Sequence, residues 1–226
     1  MATAIAAVIS LGLRAADVDR GAPGTTGAIA GVAMTEEAGR PPIRATIDPA
    51  VCGSAVPNEV IVVDGSGRLA NVVVTVAGVK APAADEVLVS NDKCRFVPRV
   101  SLLRPGGTVR MTSRDPVLHT MHAAAADGRA FFNVGIPMPS ITLSRTIDRP
   151  GVVTLTCSTH TWMRGYLHVT DERSAVTDAA GAFRLDGIPA GTYDLRVWHE
   201  VLKAPAPVRV TVTDGETTSV KLSLAK

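Results

Sequence analysis

Seven residues near the middle of the chain, CSTHTWM, hold Cys157, His160 and Met163 at intervals of three. A thiolate, an imidazole and a thioether within one tight turn are donors for a soft metal, and this combination points to copper. A second imidazole is available upstream in DPVLHTMHA. If that segment is extended, His119, Met121 and Ala123 share one face, and Thr120 and His122 share the other. Only one of the two histidines can then face inward. His119, which opens the strand after Val117-Leu118, is the expected ligand, and His122 is the alternative. Two imidazoles, one thiolate and a weak axial thioether form the donor set of a trigonal blue-copper electron-transfer site. Zinc competes for such donors, but structural zinc prefers four Cys/His ligands and catalytic zinc keeps a position for water.

These residues need a frame. In the run 152–157 the two-residue period of a strand puts Val153, Leu155 and Cys157 on one side and Thr154 and Thr156 on the other. Cys157 therefore belongs to the apolar side, where a lone thiol is more often a packing residue than a reactive one. The turn that follows changes that balance by bringing His160 and Met163 back toward it. Trp162, between two ligands, is read as a shield against water or as simple loop packing.

The chain of 226 residues is 46% hydrophobic, enough to fill a substantial core, and a net charge of +2 with no basic run offers nothing to nucleic acid or an acidic membrane surface. Residues 2–13 are apolar and precede Ala15 and Ala16, which suggests an export signal within residues 1–24. A misassigned start or a frayed terminal segment is the alternative. The three cysteines bear on this point. In an exported protein two of them pair, and Cys157 has a reason to stay a thiol, which leaves Cys52 and Cys94 as the disulfide. In a reducing compartment Cys52 and Cys94 are instead buried thiols.

Short β-branched runs at 28–33, 60–63, 72–76, 87–90, 108–112, 141–147, 152–157 and 166–170 alternate with Gly, Pro and Asp-Gly punctuation, which predicts an all-β protein of the sandwich or barrel class. A long loop containing Phe131, Phe132, Pro137 and Pro139 is expected between His119 and the 141–147 strand. After Thr170 the pattern restarts, with alternation through Tyr193, Leu195 and Val197, then Val208, Val210 and Val212, then Val220, Leu222 and Leu224. Residues 25–170 and 171–226 are therefore expected to be separate units. His168 is expected on the surface. Trp198-His199-Glu200 suits either a contact between the units or an ordinary strand end.

The stretch TDAAGAFRLDGIPAGTYDLRV resembles the carboxypeptidase regulatory-like, transthyretin-like β-sandwich over about 55 residues. That resemblance implies a scaffold or docking role rather than peptidase chemistry. Residues 25–170 resemble the cupredoxins of the amicyanin and plastocyanin group. Cys157, His160 and Met163 match the amicyanin loop Cys-x-x-His-x-x-Met, and His119 and His122 match its upstream His-x-x-His. Thr120 stands where these proteins usually carry an asparagine that ties the two ligand loops together, and Thr159 and Thr161 replace amicyanin prolines. The resemblance implies a Greek-key sandwich with one type 1 copper held by His119, Cys157, His160 and Met163.

The function expected from this is single-electron transfer between redox donor and acceptor proteins, without substrate turnover. Such a carrier is expected in the periplasm or otherwise outside the cytoplasm, with transfer through the edge of His160 in an apolar patch. The competing reading is a copper-binding or structural module tethered through its C-terminal sandwich. A copper oxidase or reductase would need a second copper site, and the chain has five histidines.

Overall fold

Short alternating runs broken by Gly and Pro fold into eighteen strands and one brief helix in the structure, a computed structural model that describes residues 25–81, 84–204 and 207–226. The expected export signal and linker, residues 1–24, lies outside the described residues. Among the described residues no helix is long and apolar enough to cross a membrane. The first part of the chain forms β1 (Thr26–Thr35), β2 (Ile43–Arg44), α1 (Pro49–Cys52), β3 (Ala55–Val56) and β4 (Val73–Lys80). Then follow β5 (Glu86–Asn91), β6 (Phe96–Val97), β7 (Val100–Leu103), β8 (Gly107–Ser113) and β9 (His119–Ala125). Next are β10 (Ala130–Ile136), β11 (Leu143–Ile147), β12 (Gly151–Thr156) and β13 (Arg164–Val169). The last part supplies β14 (Glu172–Val176), β15 (Ala182–Pro189), β16 (Gly191–Trp198), β17 (Val208–Val212) and β18 (Thr217–Leu224).

Two sandwiches result. The first packs a five-stranded sheet, ordered β10-β9-β12-β13-β7, on a four-stranded sheet, ordered β11-β8-β5-β6. Its core is built by the alternation read from sequence: Met121 and Ala123 from β9, Val153 and Leu155 from β12, Val109 and Met111 from β8. The segment between His119 and the 141–147 region is not the long loop expected. Residues of β10 pair with β9 from Ala130 to Ile136, so Phe132 and Ile136 point into the core. The run 60–63 makes only an isolated bridge between Val63 and Leu69.

The second sandwich combines the sheets β15-β1-β18 and β14-β4-β16-β17. The division of the chain at residue 170 therefore does not describe how the strands pair. β1 lies between β15, antiparallel to it, and β18, parallel to it, while β4 lies between β14 and β16. The physical reason is burial. The carboxy-terminal strands alone leave open edges and a thin core, and Ile29, Val72, Val74 and Val76 complete a cluster with Leu195, Val210, Leu222 and Leu224.

The two sandwiches meet through the outer face of β13. Tyr166 packs edge-on against Trp198 with ring centroids 5.1 Å apart, beside Val73 and Val100. Arg99 donates to Glu200 from Nε at 2.9 Å and from Nη2 at 2.6 Å, and the Tyr166 hydroxyl donates to the same carboxylate at 2.9 Å. His168 does point away from the first core, as the alternation requires, but that face is covered by the second sandwich and the ring lies 6.0 Å from Trp198. Burial holds its pKa below the usual histidine value, helped by the nearby Arg196 charge.

Candidate metal centre

Three elements converge at one end of the first sandwich. β9 begins at His119, and its inward alternation buries that ring completely. β12 ends at Thr156, so Cys157 is the first residue of the loop that leaves the sheet, still on the inward side and almost fully buried. The loop then turns, with the Met163 N–H donating to the His160 carbonyl at 2.9 Å, and this brings His160 back over Cys157. The Sγ of Cys157 lies 4.0 Å from His119 Nδ1 and 3.9 Å from His160 Nδ1. The two rings are 4.6 Å apart between centroids. Met163 is buried in the same core cluster as Cys157. His122 projects from β9 on the opposite face to His119 and is half-buried.

The thiol is prepared for the role of a soft anion. Burial would push its pKa up, but hydrogen bonding to His119, to the backbone of His160 and Thr120, and to the His160 ring outweighs this and holds it at about 5. The backbone N–H groups of Thr120 and His160 each donate to Sγ at 3.4 Å. Thr120 also supplies the link between ligand loops that the resemblance assigns to an asparagine. Its hydroxyl accepts the Ser158 N–H at 2.7 Å and lies 3.7 Å from Sγ.

Two carboxylates not anticipated from sequence complete the arrangement. Asp115 Oδ2 lies 2.9 Å from His119 Nε2 and also accepts the Cys94 N–H at 2.8 Å, while Oδ1 accepts the Lys93 N–H. Lys93 and Cys94 both have left-handed backbone angles, φ 50° and 54°, which aim successive N–H groups at that one carboxylate. On the other ring, Asp48 Oδ2 lies 3.1 Å from His160 Nε2. Asp115 was within reach of sequence reading, four residues before His119 and on the same segment. Asp48 was not, because 112 residues separate it from His160.

Asp48 arrives on a short cap. β2 and β3 pair as a two-stranded ribbon around α1, and a Cys52–Cys94 disulfide ties the cap to the first sandwich. Trp162 braces the same region, packed edge-on against His160 at 5.2 Å and donating its indole N–H to the Cys94 carbonyl at 3.1 Å. His160, whose edge is expected to carry transfer through an apolar patch, is 0% exposed: Asp48 lies against its Nε2 and Trp162 packs on the ring.

The donors fit one metal ion. Bonds of about 2.0 Å to nitrogen and 2.3 Å to sulfur, zinc values used as a size guide, place N and S roughly 3.5–3.7 Å apart around a shared ion, and the observed separations of 3.9 and 4.0 Å need only a small inward movement to match that.

Residues 164–225 match the family model of the carboxypeptidase regulatory-like domain. That match is contiguous in sequence, whereas the sandwich built from it also takes in β1 and β4. Among solved structures, the chain is similar to amicyanin from Paracoccus versutus at 22% identity, over 43% of this chain and 97% of that one, with a TM-score of 0.34. It is also similar to a purple cupredoxin from Nitrosopumilus maritimus at 21% identity, over 38% of this chain and 98% of that one, with a TM-score of 0.33. No curated protein gives a significant match. The expected resemblance to the regulatory-like domain is matched by the family model over residues 164–225.

Proposed function

We propose that this chain is a type 1 copper protein that carries single electrons between partner proteins. The observation that supports it most is the convergence of Cys157 Sγ with the Nδ1 atoms of His119 and His160, all buried and drawn from the start of β9, the end of β12 and the turn that follows it. Copper bound there would supply a one-electron couple, Cu(II)/Cu(I). The thiolate of Cys157 favours the soft lower state, the imidazoles suit both, and Met163 is the fourth, weaker donor. Thr120 and the backbone N–H groups on Sγ hold the pocket in one geometry, so little has to rearrange when an electron moves. The chain then needs no substrate and works as a carrier rather than an enzyme. A disulfide suits an exported protein, and encounters with redox donors and acceptors need only small, short-lived interfaces.

Adding Cu(II) to the metal-free protein is expected to give one bound ion and an intense blue colour. Cys157→Ser is expected to remove the colour, and a variant that stays blue would overturn the reading. A second reading, in which the metal only braces the fold, draws on the complete burial of both imidazoles. Voltammetry separates the two, since a reversible one-electron wave belongs to the carrier and its absence to the brace.

A further inference from the structure

We infer that Asp48 is a positioning residue for the proposed copper site, acting through the His160 ring, and that the cap carrying it is therefore part of the site. The inference rests on the reading above and adds a residue outside the expected ligand set. A carboxylate only accepts hydrogen bonds, so the Asp48 contact at Nε2 calls for a proton there, which makes Nδ1, 3.9 Å from Cys157 Sγ, the nitrogen that gives up its proton to bind a metal. Asp115 does the same for His119 from the opposite side. Such outer carboxylates set both the tautomer and the orientation of a ligating imidazole.

The local backbone supports this role. Asp48 stands at the N-cap of α1, where an aspartate ordinarily accepts from the backbone N–H groups of the first turn. It makes no such bond, so its carboxylate is free of local capping, while its backbone carbonyl accepts the Val51 and Cys52 N–H groups as the start of the helix. Its φ of 49° is left-handed, which costs energy for a residue with a side chain. The Cys52–Cys94 disulfide holds the segment in that posture over the site. A side chain released from local capping, on a strained residue, is aimed at one nitrogen of one proposed ligand.

The left-handed angle also dictates the test. Asp48→Gly removes the carboxylate and suits that backbone, whereas Asp48→Asn keeps an acceptor without the charge. In the metal-free protein at alkaline pH, long-range proton–nitrogen NMR of His160 is expected to show the Nε2–H tautomer in the wild type and in Asp48→Asn. Asp48→Gly is expected to show a mixture with Nδ1–H. Copper affinity measured by chelator competition is expected to fall by about 10–100-fold in Asp48→Gly, with partial recovery in Asp48→Asn. A pure Nε2–H tautomer in a folded Asp48→Gly protein overturns the inference. If the wild type takes up no copper, the functional reading fails, and the tautomer comparison still decides on Asp48.

Discussion

The two sandwiches bury different chemistry. The core of the second consists of aliphatic residues and one phenylalanine around Ile29, Phe183, Leu185, Leu195 and Leu222, with no sulfur among them and one imidazole, His199, buried beside Leu202. The core of the first contains Met111, Met121, Met163, Cys157 and the disulfide, with His119 and His160 buried at its end. The second is specified by volume and patterning alone, and it gathers strands from both ends of the described chain to reach a sufficient core. The first gives up part of its apolar interior to polar groups: His119, His160 and Asp115 are hydrogen-bonded there, while the buried side chain of Asn91 has no partner among the described residues. The sulfur and imidazole groups of the candidate site lie in the first sandwich, with β13 and the Arg99–Glu200 pair as the seam to the second.

That contrast can be broken most completely at the proposed ligand. Cys157→Ser is expected to abolish the blue spectrum while thermal unfolding of the metal-free protein shows both sandwiches intact. At the seam, Glu200→Ala strands Arg99, whose side chain is 6% exposed and whose remaining carboxylate, Glu59, is 3.8 Å away. Removing one member of a buried pair costs about 3–5 kcal/mol, to be read by denaturant unfolding. The same substitution is expected to bring the Tyr166 pKa down from about 12, since burial raises it first and the Glu200 charge and hydrogen bond add to that.

In the second core, Leu222→Ala is expected to destabilise by about 2–5 kcal/mol and leave the copper spectrum unchanged. A shifted spectrum would show that the two cores are mechanically coupled. A smaller effect concerns pH. His199 is held down to about 4 by burial and by the Arg99 charge, and its Nδ1 accepts the Leu202 N–H at 3.2 Å. The unfolded chain binds that proton near the ordinary histidine value of 6.5, so the contribution to stability is complete above 6.5 and is lost as pH falls toward 4. His199→Asn, which keeps an acceptor, is expected to flatten the stability profile over that window. Smallest of all, Arg209→Ala breaks an exposed pair with Asp194 and is expected to leave the denaturant midpoint unchanged within error.

Much of the site was legible from side-chain period. The inward alternation of His119, Met121 and Ala123, and of Val153, Leu155 and Cys157, needs only the pleat of a strand, and the observed burial follows it. The pairing of Cys52 with Cys94 was legible by counting, once Cys157 had another use. Asp115 was overlooked although it precedes His119 by four residues, because an Asp-Pro dipeptide also reads as ordinary turn chemistry. His168 was assigned to the surface because alternation tells which face a residue takes, not what that face meets.

The amino-acid sequence by itself determined the all-β class, the inward set of each strand and the cluster Cys157, His160 and Met163, because these depend on spacings of two and three residues along one segment. Only the tertiary structure decided that β1 and β4 complete the second sandwich, that Arg99 meets Glu200, and that Asp48 closes over His160. Those contacts join residues far apart in the chain. Strand pairing and buried charge complementarity are satisfied by whichever partner the folded topology brings near, and no local period records that choice.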